Sequence, residues 1–260
     1  MIRFTVATVT YNAAATIGRT LQSVYSQTYE AVEHLIIDGC STDSTMIEIQ
    51  RYVERNTDQR HPHNIVLIRE PDDGLYDAMN KAIAQAKGDY IVFLNAGDKF
   101  HGESVLNDIA QQLGRYNPSR LPAVVYGETD LVDDDGRFLR HRRLKTPEKL
   151  TSRSFLSGML VCHQSFYARV DLARATPYDL RFRFSADYDW CIRLLRKAER
   201  RHLRIHNTQL ILTDYLAEGM TTRNHRRSLV ERLRLMAHHY GWPRALVAHL
   251  WFVVRAVIMK

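Results

Sequence analysis

Four short apolar runs, IRFTVATV, HLIID, NIVLIR and DYIVFLN, recur through the first hundred or so residues, with a longer helix-spaced stretch between each pair. That alternation restricts the chain most, because strands separated by helices pair in parallel and carry the helices on the two faces of their sheet. The runs are rich in Val and Ile and too short for buried helices. Between them Ile17, Leu21, Val24 and Thr28 recur at helical spacing, as do Met46, Ile49 and Val53, and then Leu75, Met79, Ile83 and Ala86, each set giving one sheet-facing stripe. Asp43 is placed to cap the second helix, and Gly88 to end the third in a left-handed conformation. Beyond Asn95 the pattern loosens into a helix near Gly102 to Leu113, a strand AVVYGE, a hairpin turned at Asp135-Gly136, and a helix from near Ser185 with Tyr188, Cys191, Ile192 and Leu195 on one face. This second half reads as α+β, covering the open edge of the sheet. The expected class is therefore α/β: a mainly parallel, Rossmann-like sheet with flanking helices and a C-terminal helical tail. The expected divisions are a domain over 1–218, with halves 1–115 and 116–218, and a basic amphipathic tail over 219–260.

With 260 residues, 45% of them hydrophobic, the chain can bury a sizeable core, which argues against disorder. Cys40, Cys162 and Cys191 are widely spaced, odd in number and without a CxxC or HExxH companion, so they read as reduced thiols of a cytosolic protein. The start, MIRFTVATVTYN, lacks the charged head, apolar body and cleavage site of a secretory leader and reads as the first strand. A formal charge of +7 favours anionic partners: nucleic acid, acidic lipid surfaces or phosphorylated small molecules. The excess gathers in the last forty or so residues, where Arg223, Arg226, Arg227, Arg232, Arg234, Arg244, Arg255 and Lys260 face one acid, Glu231.

Open α/β sheets bind ligands at the carboxyl ends of their strands, and here those ends are polar and acidic: Thr10-Tyr11-Asn12, Asp38-Gly39, Arg69 to Gly74, and Asn95-Ala96-Gly97-Asp98. No GxGxxG turn or GxxxxGK[ST] loop follows the first strand, which excludes the usual dinucleotide and P-loop sites. A lone Asp after a strand is ordinarily a turn residue or a cap. Asp38 and Asp98 together on one rim must repel or share a cation, and Mg²⁺ or Mn²⁺ completed by diphosphate oxygens resolves that, implying a nucleotide-diphosphate substrate.

The segments VTYNAAATIGRTLQSVYSQ, IIDGCSTDST, EPDDGLYDAMNKAIAQAKGDYIVFLNAGD and FSADYDWCIRL resemble glycosyltransferase family 2 on a GT-A fold, in particular the colanic-acid-type enzymes of bacterial exopolysaccharide and glycolipid synthesis. The resemblance covers roughly the first hundred residues and 158–195; the remaining third is not diagnostic. It implies a nucleotide-binding half over 1–115 and an acceptor half over 116–218. It makes Asp38 the acid that accepts from the donor base, with Thr10, Tyr11 and Asn12 bordering that pocket, and Asp98 the metal-binding carboxylate. The sequence departs from the commoner D-x-D: Asn95 stands for the first acid and Gly97 for the second, so weak metal affinity is expected before the diphosphate arrives. Asp77, in a helix first turn, reads equally as a helix-start acid or a holder of donor sugar hydroxyls. Lys81 reads as an exposed helix lysine in preference to a diphosphate partner. Asp187 aligns with the general base of an inverting transfer, although Ala186 replaces the usual Glu before it, while Asp189 reads as a cap or ion-pair partner. His163-Gln164 recurs in the same subset and is assigned to the acceptor or the leaving diphosphate, with a structural role equally open.

The stretch from Trp242 to Lys260 is too interrupted by His249 and Arg255 to span a bilayer and reads as an interfacial helix, or as one packed on the domain with a basic outer face. The overall expectation is a metal-dependent, inverting glycosyltransferase using a UDP-sugar, with a GDP-sugar also compatible with Asp38. Its acceptor would be a saccharide or lipid-linked saccharide, and its place the inner face of the cytoplasmic membrane in contact with anionic lipid. The competing readings are a sugar-nucleotide pyrophosphorylase, disfavoured because TYNAAATIG is a poor phosphate loop, an inactive transferase-like adaptor, and a basic nucleic-acid-binding protein. No DNA-reading motif accompanies the arginines, so nucleic acid is not expected as a partner.

Overall fold

The computed structural model describes residues 1–217 and 225–258. The first half alternates as the sequence implies: β1 (Phe4–Thr10), α1 (Ala14–Tyr25), β2 (Val32–Asp38), α2 (Thr45–Thr57), β3 (Asn64–Arg69), α3 (Leu75–Gln85) and β4 (Tyr90–Phe93). These four strands pair in parallel in the order β3-β2-β1-β4. Every residue of β1, β2 and β4 is buried, as expected for strands covered on both faces, whereas β3 at the edge is half-exposed. The order reverses at β1, so the carboxyl ends of β1 and β4 frame a crevice where ligands bind in such sheets.

The second half does not fold over the edge of this sheet but continues it. After β5 (Lys99–Phe100) and α4 (Val105–Leu113) come β6 (Val124–Val132), β7 (Phe138–His141), β8 (Phe166–Arg169), α5 (Val170–Arg174), α6 (Ala186–Arg200) and β9 (Ile205–Leu216). β8 runs antiparallel to β4, and the order continues β8-β6-β9-β5 with β7 on β6, which satisfies β4's free backbone edge by pairing and not by cover. The AVVYGE strand runs on through Val132, and Gly136, at φ 77°, sits in the hairpin loop.

Three local expectations need correction. Thr28 lies beyond the end of α1, and its N–H donates to the Glu103 carbonyl at 2.9 Å. Asp43 precedes the N-cap residue Ser44, yet it still accepts from the first helical N–H, Thr45, at 2.9 Å, and from Ala14 N–H at 3.1 Å, tying α2 to α1. Gly88 is not left-handed; it is there because a Cβ would lie 2.7 Å from the Thr5 nitrogen and 2.8 Å from the Arg3 carbonyl oxygen.

The tail forms two helices, α7 (His225–Tyr240) and α8 (Trp242–Ile258), separated at Gly241, whose φ is 85°. Both dock on the domain: Leu235, Met236 and Ala245 are fully buried, and Glu231 accepts the backbone N–H groups of Arg183 and Phe184 at 2.9 and 2.8 Å, just ahead of α6. The expected boundary at 218/219 falls outside the described residues. No helix among the described residues is long and apolar enough to cross a membrane.

Candidate active site

The turn after β4 holds the first of two acids. Gly97 has φ 108°, and its N–H donates to Thr20 Oγ1 at 2.9 Å, while Thr20 Oγ1 donates to the Asp98 carbonyl at 2.6 Å. A Cβ at residue 97 would lie 2.8 Å from Leu216 Cδ2, so an acid there would be strained in both conformation and space. The left-handed backbone at this position thus favours glycine over an acid. Asp98 itself is 3% exposed; its Oδ2 accepts from Gln164 Nε2 at 3.0 Å and its Oδ1 from the Leu216 N–H at 3.1 Å. Burial pushes its carboxyl up to about 6, against the lowering effect of those hydrogen bonds and of the His163 charge.

The second acid, Asp187, stands in the first turn of α6 with its side chain 22% exposed. Tyr76 OH donates to its Oδ1 at 3.2 Å, and His163 Nδ1 lies 3.3 Å from its Oδ2. Burial opposes its charge, but the hydrogen bond and charge of His163, the Tyr188 N–H and Arg232 together hold its carboxyl below the ordinary carboxylate range. The other ring nitrogen of His163 lies 3.3 Å from Asn95 Nδ2. Consecutive side chains therefore reach both acids, His163 to Asp187 and Gln164 to Asp98. Tyr76 and Leu216 were not singled out in the sequence; each meets its acid across more than a hundred residues, and no local pattern announces such a contact.

At the β1–β2 end, Asp38 is fully buried, accepts from the Ser41 N–H at 2.9 Å and from the Ser41 hydroxyl, and has Arg69 Nε at 3.4 Å. Its carboxylate fastens the loop over 39–43 and has no surface open to a base in this conformation. Asn12, at φ 48°, joins the same loop by accepting from the Thr42 N–H at 2.8 Å. Tyr11 is 63% exposed on the rim, and a Cβ on Gly39 would lie 2.5 Å from Asp72 Oδ2 and 3.4 Å from the Tyr11 ring, so these groups stand together over the crevice. The Thr10 hydroxyl is buried with no hydrogen-bond partner. Asp77 accepts from the Asp73 N–H at 3.1 Å and pairs with Lys81 at 3.4 Å, while Lys81 also pairs with Glu70 at 3.2 Å. Both are thus engaged in holding the start of α3. Asp189 is 2% exposed and pairs with Arg193 at 2.5 Å and with His239 of α7 at 2.7 Å, a structural bolt between α6 and the tail.

The residues that could hold a divalent cation at this turn are Asp98 and Asn95. The carboxylate keeps lone pairs beyond the two it uses, and Asn95 Oδ1 is buried without a partner, giving hard oxygen donors of the kind Mg²⁺ or Mn²⁺ takes. A separate group, His101, Asp130 and Asp214, brings its ligand atoms within 4.8 Å of one another. It belongs elsewhere: Thr213 donates to the Gln164 carbonyl, so strand alternation turns Asp214 to the opposite face of the sheet. There the two register-paired acids are flanked by His141 at 2.8 Å from Asp130 and Lys99 at 3.1 Å from Asp214, so the protein's own bases compensate them.

The profile of Glycosyl transferase family 2 matches residues 5–174, which include Asp38, Asp98, His163 and Gln164. The chain belongs to this family. A PGL/p-HBAD biosynthesis glycosyltransferase of Mycobacterium bovis is 31% identical over 191 residues, covering 73% of this chain and 68% of the relative. The putative teichuronic acid biosynthesis glycosyltransferase TuaG of Bacillus subtilis is 31% identical over 156 residues, 60% of this chain and 58% of TuaG. Among solved structures, S. aureus TarS 1–349 in complex with UDP superposes with a TM-score of 0.66 at 17% identity, over 91% of this chain and 66% of that one. The mannosyltransferase PcManGT of Pyrobaculum calidifontis, in complex with GDP-Man and Mn²⁺, gives 0.60 at 18% identity over 98% and 75%. This family 2 chain therefore has the GT-A fold, with two further helices at its C-terminus.

Proposed function

We propose that this family 2 chain is a metal-dependent, inverting glycosyltransferase that moves a sugar from a nucleotide-diphosphate donor, UDP-linked in the first instance, to a saccharide or lipid-linked saccharide in bacterial glycan synthesis. The observation that carries the reading is the His163-Gln164 pair, which brings an ionised carboxylate and a buried carboxylate into one crevice. In an inverting transfer the acceptor oxygen bonds to the anomeric carbon as the bond to the diphosphate oxygen breaks, and the acceptor proton must leave. Asp187 is the base: His163 and Tyr76 fix its two oxygens, and His163, the Tyr188 N–H and Arg232 favour its ionised form. Asp98, with Asn95, would hold Mg²⁺ or Mn²⁺, and the ion's chemistry would be to offset charge on the departing diphosphate. Thr10, Tyr11 and Asn12 border the nucleotide, with the Tyr11 ring free to stack on the base. Asp38 shapes the loop beneath it and meets the base only if Ser41 yields. Asp77 acts through the start of α3. The expected divisions, a nucleotide half over 1–115, an acceptor half over 116–218 and a tail from 219, fit this assignment of roles. The two relatives, named for PGL/p-HBAD biosynthesis and, as a putative assignment, teichuronic acid biosynthesis, and the UDP bound by TarS support it.

Titrating UDP and GDP with Mn²⁺ by calorimetry tests the donor side. Tyr11→Ala is expected to weaken UDP about 10-fold without changing the melting temperature, since stacking contributes about 1–3 kcal/mol and the side chain supports nothing else. Failure of both nucleotides to bind, or unchanged affinity in the variant, contradicts it.

The tail supports a second element of the proposal, peripheral contact with the inner face of an anionic membrane. α8 buries Ala245 against the domain yet exposes Trp242, Leu246, Val247, Leu250 and Trp251, of which Val247 is 70% exposed, a continuous apolar stripe on the outer face. Leu250→Ser with Trp251→Ser should release the protein from vesicles of phosphatidylglycerol and phosphatidylcholine while leaving transfer to a water-soluble acceptor intact. Equal sedimentation of variant and wild type counts against the contact.

A further inference from the structure

We infer that the arginine-lined cavity where α6, α7 and α8 meet is a binding pocket for the phosphate headgroup of an anionic lipid, distinct from the donor crevice. The inference rests on the membrane contact just proposed. The cavity has a volume of about 320 Å³ and is lined by Arg153, Arg196, Arg200 and Arg244 together with Glu199 and Tyr240. Glu199 is already committed, accepting from the Ser152 N–H at 2.6 Å and the Ser152 hydroxyl at 2.8 Å. None of the four arginines forms an ion pair with a described carboxylate, and the first turn of α8 contains no acid.

One of the four is fixed in place. Arg196 donates to His239 Nδ1 at 2.9 Å and lies 5.6 Å from the centre of the Tyr240 ring, while His239 Nε2 is 2.7 Å from the buried Asp189. A chain of contacts thus runs from the catalytic helix to the cavity wall. Arg153, Arg200 and Arg244 are exposed beside it. Arg200 alone would be accounted for by the carboxyl end of α6, where a cation offsets the helix dipole. Arg153 and Arg244 come from other elements, and the four arginines outnumber Glu199, the one acid in the lining, so the concavity keeps an excess of positive charge that a bound anion offsets. Planar guanidinium groups match a phosphate with paired hydrogen bonds, which ammonium groups do not.

The source of the phosphate follows from position. Arg244, in the first turn of α8, lines the cavity, and the same helix exposes Leu246, Leu250 and Trp251, so a lipid whose tail meets that stripe lies against the helix that forms one wall of the cavity.

The test uses sedimentation with vesicles of phosphatidylglycerol in phosphatidylcholine. The Arg153→Lys, Arg200→Lys, Arg244→Lys triple variant keeps every charge and removes the forked geometry; it should bind about 10-fold more weakly than wild type. A triple variant of exposed arginines elsewhere, Arg51→Gln, Arg60→Gln and Arg120→Gln, should lose less than 2-fold. If wild type binds the vesicles and the lysine variant binds equally well, the pocket is refuted while the membrane contact stands. If wild type binds no vesicle, the membrane contact fails and the pocket with it. Calorimetric binding of inorganic phosphate to the vesicle-free protein as tight as the vesicle interaction would assign the cavity to a free anion and overturn the lipid assignment.

Discussion

Asp98→Asn will make the ligand-free protein more stable at neutral pH and at the same time remove metal-dependent donor turnover. The two effects have one cause. Burial pushes the Asp98 carboxyl up to about 6, from an ordinary value of 3.8. Keeping it ionised at pH 7.5 therefore costs the fold about 3 kcal/mol, at 1.36 kcal/mol per unit. Because the folded chain holds this proton more tightly than the unfolded one, the associated stability is present below about pH 4 and is lost as the pH rises through about 6. The amide has no such loss, so the variant should gain about 1–3 kcal/mol at pH 7.5, less whatever the Gln164 and Leu216 hydrogen bonds give up, and little or nothing at pH 4. Turnover should fall about 10³-fold or more, since a cation contributes several kcal/mol to stabilising a departing diphosphate. Thermal unfolding at the two pH values and an assay with Mn²⁺ measure both halves. Lower stability at pH 7.5, or turnover like wild type, contradicts the assignment.

Asp187→Asn is expected to lower transfer by about 10²–10⁴-fold with nucleotide affinity almost unchanged. An amide keeps the shape and can still accept from one partner, and the Tyr76 hydroxyl can turn to accept from the amide nitrogen, so the site stays assembled. What is lost is a group that can take a proton. Asp189→Asn is the matched control two residues on. Its carboxylate holds Arg193 and His239 in a buried pair, so the change should cost about 1–3 kcal/mol of stability and affect chemistry much less. Single-turnover transfer and melting temperature for the two variants separate the roles: near-normal transfer by Asp187→Asn, or a larger catalytic loss at Asp189, reverses them.

The parallel half of the sheet was legible because its information is local. Strand runs, helix stripes and polar strand ends all lie within windows of a few residues, and they put Thr10 to Asn12, Asp38 and Asn95 to Asp98 on one rim. The start of α6, with Asp187 in its first turn, was legible for the same reason. What escaped is what depends on distant partners. Gln164 meets Asp98 across 66 residues and Tyr76 meets Asp187 across 111, with nothing local to mark either contact. The second half was read as a cover because its strands are irregularly spaced and do not alternate with helices, whereas pairing with the edge of β4 decides where they go. Gly88 was misread because a glycine required by a neighbouring backbone looks, in sequence, like one required by a left-handed turn. The burial of Asp38 was invisible too, since a strand-end acid reads the same whether it faces a ligand or fastens its own loop.

The most direct measurement is release of nucleoside diphosphate from a panel of UDP- and GDP-sugars by the wild-type protein, with Mn²⁺ and with EDTA. A glycosyltransferase of this design releases diphosphate from at least one donor, faster with an acceptor saccharide present, and stops when the metal is chelated. A folded protein that turns over no donor in the panel, or turns one over undiminished in EDTA, would contradict the account.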